Sequence, residues 1–149
     1  MSERIVVGVD GSDTATLAVR WAAREARLRG AAVTLVAAWE IPSSALGLGM
    51  AAVSEDLVKD LVKAAEDDVA AGLDEVRSEA GSAVEVQTIV AEGQAAHVLL
   101  DASRDADLLV IGSRGLGGFR ELLLGSVSQQ CAHHSTCPVV IVRHMHAAA

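Results

Sequence analysis

Tyrosine is absent from this chain of 149 residues, phenylalanine occurs once and tryptophan twice. Ala, Val and Leu carry most of the 51% apolar content, which suits a sheet of small branched residues between alanine-rich helices. Positive charge is scarce as well: 12 Lys and Arg against 20 Asp and Glu leave a formal charge of −8, with no basic stripe. Phosphate-backbone binding depends on clustered Lys and Arg, so this balance argues against nucleic acid as a partner. Cysteine is limited to Cys131 and Cys137, whose spacing of six matches neither a Cys-x-x-Cys redox motif nor a zinc knuckle. Reduced packing thiols are the expectation. No Gly-Lys-Ser/Thr occurs, so ordinary P-loop chemistry is not expected, and the turn after the first strand has only Gly8 and Gly11 where a dinucleotide fingerprint needs more glycine.

Membrane and export signals are missing too. Met1-Ser2-Glu3-Arg4 leads directly into an apolar strand, and the apolar stretch from Ala31 to Val53 is interrupted by Glu40, Pro42, Ser43 and Ser44. A cytoplasmic protein without a membrane span is expected. The length fits a single domain over residues 1–143, with 144–149 as a frayed tail.

What is present is a regular alternation. Arg4–Val9, Val33–Trp39, Val84–Val90, Leu108–Ile111 and Val139–Val142 read as strands. The third alternates apolar with polar residues, which places it at an edge. Between the strands lie helical patterns, the first capped by Ser12 or Asp13 and closed by Gly30, the second long one starting at Ser54-Glu55-Asp56. Another opens after Gly93 and contains His97, read as an ordinary helix residue, and the last covers Ser126–His134. Glu40–Ala52 reads as a loop, long enough to be functional. With no hairpin signal, the pattern predicts an α/β fold with an open five-stranded parallel sheet, order 3-2-1-4-5, and Rossmann-like helices on both faces.

In that order the chain reverses between strands 1 and 4, where ligands of open parallel sheets bind. The turns that meet there are Asp10-Gly11 and the glycine-rich stretch beginning at Gly112, which runs through Arg114, Gly115, Gly117, Gly118 and Arg120 to Gly125-Ser126. A strand, a glycine loop and a helix start make an anion cradle, because the first turn of a helix offers free N–H groups.

The spacing Gly112-x2-Gly115-x9-Gly125-Ser126 resembles the signature of the ATP-binding branch of the universal stress protein family. Val9-Asp10-Gly11-Ser12, Ala106-Asp107-Leu108 and Cys137-Pro138-Val139 extend the likeness over the whole chain. The resemblance implies Asp10 and Gly11 near the nucleoside and the main chain of Ala38 at the adenine edge. It also implies Gly112 and Gly115 near ribose and phosphates, and Gly125, Ser126 and Val127 at the phosphates. Ser128 adds a hydroxyl or a capping bond, and Arg114 either reaches phosphate or is solvated. Trp39, one residue past Ala38, is read as a packing residue, with a place beside the base as the alternative. ATP, with Mg²⁺ held through its phosphates, is the implied ligand, and His133, His134, His144 and His146 are not expected to form a metal site. The family likeness further implies a stress-response regulator that forms a homodimer through Val139–Val142. Two rival readings remain open, a slow ATPase and a nucleotide-independent interaction module. No Gln or acid is positioned to orient a hydrolytic water, and Asp10 is the one nearby carboxylate to nominate for it.

Overall fold

The computed structural model describes residues 2–49, 53–115 and 124–144. In chain order the elements are β1 (Arg4–Gly8), α1 (Asp13–Arg29), β2 (Ala32–Trp39), α2 (Ser43–Gly47), α3 (Glu55–Ala80), β3 (Val86–Glu92), α4 (Ala95–Ala102), β4 (Leu108–Gly112), α5 (Ser126–His134) and β5 (Val139–Val142). The strands form one parallel sheet in the expected order β3-β2-β1-β4-β5.

Alternation along each strand sorts the core onto the two faces. Ile5, Val7, Val33, Leu35, Ala37, Leu108 and Val110 pack with buried residues of α1 and α3. Val6, Val36, Leu109 and Ile111 pack with Leu99 of α4 and Cys131 of α5 on the other side. Because β1 and β4 are covered on both faces, their middle residues are buried without alternation. Thr34 shares the α4 side, is 1% exposed, and its hydroxyl finds no partner among the described residues.

The helix ends follow their sequence signals. Ser12 accepts from the Ala15 amide and Ser54 from the Leu57 amide, 3.1 Å in the latter case. Gly30 closes α1 in the left-handed region at φ 68°. Arg20–Glu75 and Arg24–Glu79, at 2.8 and 2.9 Å, tie α1 to α3 along their outer faces. Both pairs lie at the surface, Arg20–Glu75 partly buried, and contribute little to stability.

Two segments differ from the sequence expectation. The stretch expected as a loop after β2 contains the short helix α2, whose first turn closes on the Pro42 carbonyl. Proline lacks only an N–H that a helix start does not use. Residues 50–52 of that loop, and 145–149 of the expected tail, lie outside the described residues. The third strand begins and ends two residues later than expected. Val84 is buried as an anchor in the α1–α3 core, and β2 runs on through Ala38 and Trp39, which supply partners for Ala91 and Glu92. No helix among the described residues is long and apolar enough to cross a membrane.

Candidate functional site

At the end of β1 the chain turns through Asp10-Gly11-Ser12. One Asp10 carboxylate oxygen, Oδ1, accepts from the Ser12 amide at 2.9 Å and from the Ser12 hydroxyl, an Asx-type turn that leads into the capped start of α1. Gly11 holds φ 81°, and a Cβ there would meet Asp68 Oδ1 of α3 at 2.9 Å. Thr14, in the first turn of α1, donates from its hydroxyl to the Arg114 carbonyl. Beside that bond, a Cβ on Gly112 would fall 2.5 Å from Thr14 Oγ1, 2.7 Å from Thr14 C and 2.8 Å from the Ala15 nitrogen. The exit of β4 is therefore seated directly on the start of α1.

From this seat, hydrogen bonds run to α5. The Ser113 amide donates to the Val142 carbonyl of β5 at 2.8 Å, and the Ser113 carbonyl accepts from the Gly125 amide at 2.7 Å. Ser128, 1% exposed, shares its hydroxyl proton between the Ser113 and Gly125 carbonyls at 2.9 and 3.0 Å. Its hydroxyl thus ties the loop stem to the helix. The amides of Ser126, Val127 and Ser128 take no acceptor among the described residues, and Gly125 brings no side-chain cap. Three aligned donors and the positive end of the helix dipole face the cleft. Gly117, Gly118 and Arg120 lie outside the described residues.

The cleft between these turns has a volume of about 490 Å³, within the range of small-molecule sites. Asp10, Ala38, Gly112, Arg114, Gly115 and the Gly125–Ser128 stretch all line it, whereas Gly11 does not, its role being to make the turn. Toward β2 the lining becomes apolar. The Val9 amide donates to the Val36 carbonyl at 2.9 Å, after which β1 turns away. The next main-chain groups of β2 on that side, the N–H and C=O of Ala38, make no ladder bond among the described residues and border the cleft. Trp39 points the other way: it packs against the α1–α3 core and lines no part of the cleft. One residue along a strand changes the face.

Electrostatics at the β1 turn are acidic. Burial and then the neighbouring Asp10 charge raise the Asp68 carboxyl above the usual carboxylate range, with Asp67 adding to the effect. A raised folded-state pKa means that ionised Asp68 destabilises the fold. This cost is absent below the ordinary carboxylate range and grows as pH rises through the raised value. Asp68→Asn is therefore expected to melt above the parent protein at pH 7, with the difference vanishing near pH 3, as measured by thermal denaturation at both values. A variant that melts below the parent at pH 7 would contradict this. Burial also pushes the Cys131 thiol up to about 11, which leaves it protonated and unreactive. Both cysteines are free. Among the described residues no three potential ligands cluster for a metal ion.

Sequence reasoning missed the hydroxyls of Thr14 and Ser113's main chain as the frame of the loop, and Ala95 and Leu99 of α4 as one wall of the cleft. Three polar residues in a row at Ser12-Asp13-Thr14 carried a signal for the first. Nothing local marked the α4 wall, because an alanine and a leucine at helical spacing look like any core face.

Comparison with known proteins agrees with this geometry. Residues 1–143 match the model of the universal stress protein family. The chain is similar to a universal stress protein of Mycolicibacterium smegmatis, 39% identical over 93% of this chain, and to universal stress protein YxiE of Bacillus subtilis, 30% identical over 96%. It spans about half the length of the former, 47%, and all of the latter. Among solved structures it resembles a universal stress protein in complex with cAMP, with a TM-score of 0.67 at 25% identity over 94% of this chain and 95% of the other. It also resembles the universal stress protein of Archaeoglobus fulgidus in complex with dAMP, with a TM-score of 0.69 at 25% identity over 94% and 97% of the two chains. The strand order, the cleft at its reversal point and the match along residues 1–143 show that this chain belongs to the universal stress protein family.

Proposed function

We propose that this chain is a regulatory stress-response protein that holds an adenine nucleotide, ATP with Mg²⁺, in the cleft between β1 and β4, and that occupancy biases its conformation or its assembly. The observation that carries the reading is the pairing of two hydrogen-bonding edges left unspent among the described residues. One is the amide group of Ser126, Val127 and Ser128, suited to phosphate oxygens, and the other is the main chain of Ala38, suited to the edge of a base. Asp10 stands between them with an oxygen that would meet ribose hydroxyls, Gly112 and Gly115 let the β4 exit lie close against α1 and Asp10, Gly125 keeps the approach clear, and Arg114 borders the polyphosphate path. Complexes of related structures with cAMP and dAMP support an adenine nucleotide.

Mg²⁺ would be held through the phosphates, since that ion keeps most of its waters and needs few protein ligands. Asp10 is engaged in the turn by Oδ1, while Oδ2 lies 2.9 Å from where a Gly115 Cβ would be. A carboxylate half engaged in its own turn, with the other oxygen beside Gly115, suits a ribose hydroxyl better than an attacking water, which favours holding ATP over hydrolysing it. We read residues 1–143 as one cytoplasmic domain. The open edge of β5, apolar from Val139 to Val142 and half-buried, would be covered by the same strand of a second copy across a two-fold axis.

Acid denaturation of protein purified from cells tests the nucleotide directly. Mass spectrometry of the supernatant is expected to find adenine nucleotide in a ratio approaching one per chain. Its absence, from protein that also fails to take up added ATP, would sink the reading.

A further inference from the structure

Two residues of α4 that line the cleft, Ala95 and Leu99, stand four apart and share one face of the helix. Leu99 is 6% exposed and lies against Gly8, where a Cβ would fall 3.0 and 3.1 Å from its two δ-methyls. The backbone does not demand glycine there, since Gly8 has no positive φ. The missing Cβ lets Leu99 lie flat on the sheet, so that the leucine forms floor instead of filling the cavity. Ala95 is the first residue of α4 and brings a single methyl to the rim. Val36 and Ile111, buried on the same face, complete the wall. Apart from the main chain of Ala38, this end of the cleft carries no polar group from the residues named. A slot with apolar walls and hydrogen bonding along one edge fits a flat heteroaromatic ring.

Resting on the nucleotide reading above, we propose that Ala95 is a specificity-determining residue that sets the size of the ring the cleft accepts, with Leu99, seated on Gly8, setting its depth. Apolar burial rewards the larger ring, so a purine is favoured over a pyrimidine while there is room for both of its rings. Leucine at position 95 adds three carbons at the rim. It removes room needed by the second ring and leaves space for a single one. The phosphate-binding amides of α5 are on a different helix and stay as they are.

Calorimetric titration of the full chain with ATP and with CTP, for the parent and Ala95→Leu, tests this. The variant is expected to lose about tenfold to a hundredfold in ATP affinity, as for a ring meeting a misfit of a few carbons, while CTP affinity changes by less than about threefold. Inhibition of nucleotide binding by inorganic tripolyphosphate, measured in parallel, is expected to be unchanged. Ala95→Val, a smaller addition, serves if the leucine variant does not fold, with a smaller fall in the ATP-to-CTP ratio in the same direction. Equal losses for both nucleotides, or parental affinities for both, would overturn the assignment of Ala95 while leaving nucleotide binding intact. A parent protein that binds neither nucleotide would overturn both.

Discussion

Valine at position 125 is expected to lower ATP affinity at least about a hundredfold, equivalent to roughly 2.7 kcal/mol, while leaving the fold in place. Gly125 has φ −78° and ψ 174°, an extended conformation open to any residue, valine included. A Cβ there would sit 3.5 Å from Arg114 Cα and from the Ser113 carbonyl oxygen, and 3.8 Å from the Gly115 nitrogen, all ordinary contacts. The chain itself therefore does not require glycine at this position. What the missing side chain leaves open is the space before the amides of Ser126 to Ser128, and valine would fill it. The thermal midpoint is expected to stay within about 2–4 °C of the parent, the shift that 1 kcal/mol produces in a domain of this size. Loss of binding accompanied by collapse of the midpoint would mean that Gly125 is structural after all.

Gly112 in the same motif is expected to behave in the opposite way. Alanine there would press its Cβ against Thr14 C and the Ala15 nitrogen at 2.7 and 2.8 Å, and these are backbone atoms at the start of α1 that cannot swing aside. Overpacking of this kind costs about 1–3 kcal/mol or somewhat more. At about 2–4 °C per kcal/mol, Gly112→Ala is expected to melt roughly 2–12 °C below the parent in a thermal scan. It should also weaken ATP binding, because separating α1 from the β4 exit breaks the Thr14 bond to the Arg114 carbonyl that frames the loop. A variant with parental stability would show that α1 can give way, and that Gly112 is kept for the ligand.

The contrast between these two glycines marks how far the sequence could be read. Strand alternation, helix caps and the absence of hairpin turns gave the sheet order, and that order by itself placed Asp10 beside Gly112 from opposite parts of the chain. Those are periodic or local signals. The reason for each glycine is not local: Gly112 answers to Thr14, Gly8 to Leu99 and Gly115 to Asp10, each across the fold. Hydroxyl roles were opaque for the same reason. Ser128 looked like a ligand or a cap, and its proton goes to the carbonyls of Ser113 and Gly125. Trp39 was hard to place because a shift of one residue along β2 moves a side chain from the cleft to the opposite core. The short helix α2 went unseen because five residues give too little periodicity to separate a helix from a turn.

Nucleotide binding at the start of α5 is tested most directly by calorimetric titration of the purified chain with ATP and Mg²⁺, side by side with Gly125→Val. Saturable binding of one ATP per chain, lost in the folded variant, is the expected result. No heat and no displacement of a fluorescent ATP analogue from the parent protein, or equal affinity in parent and variant, would contradict it.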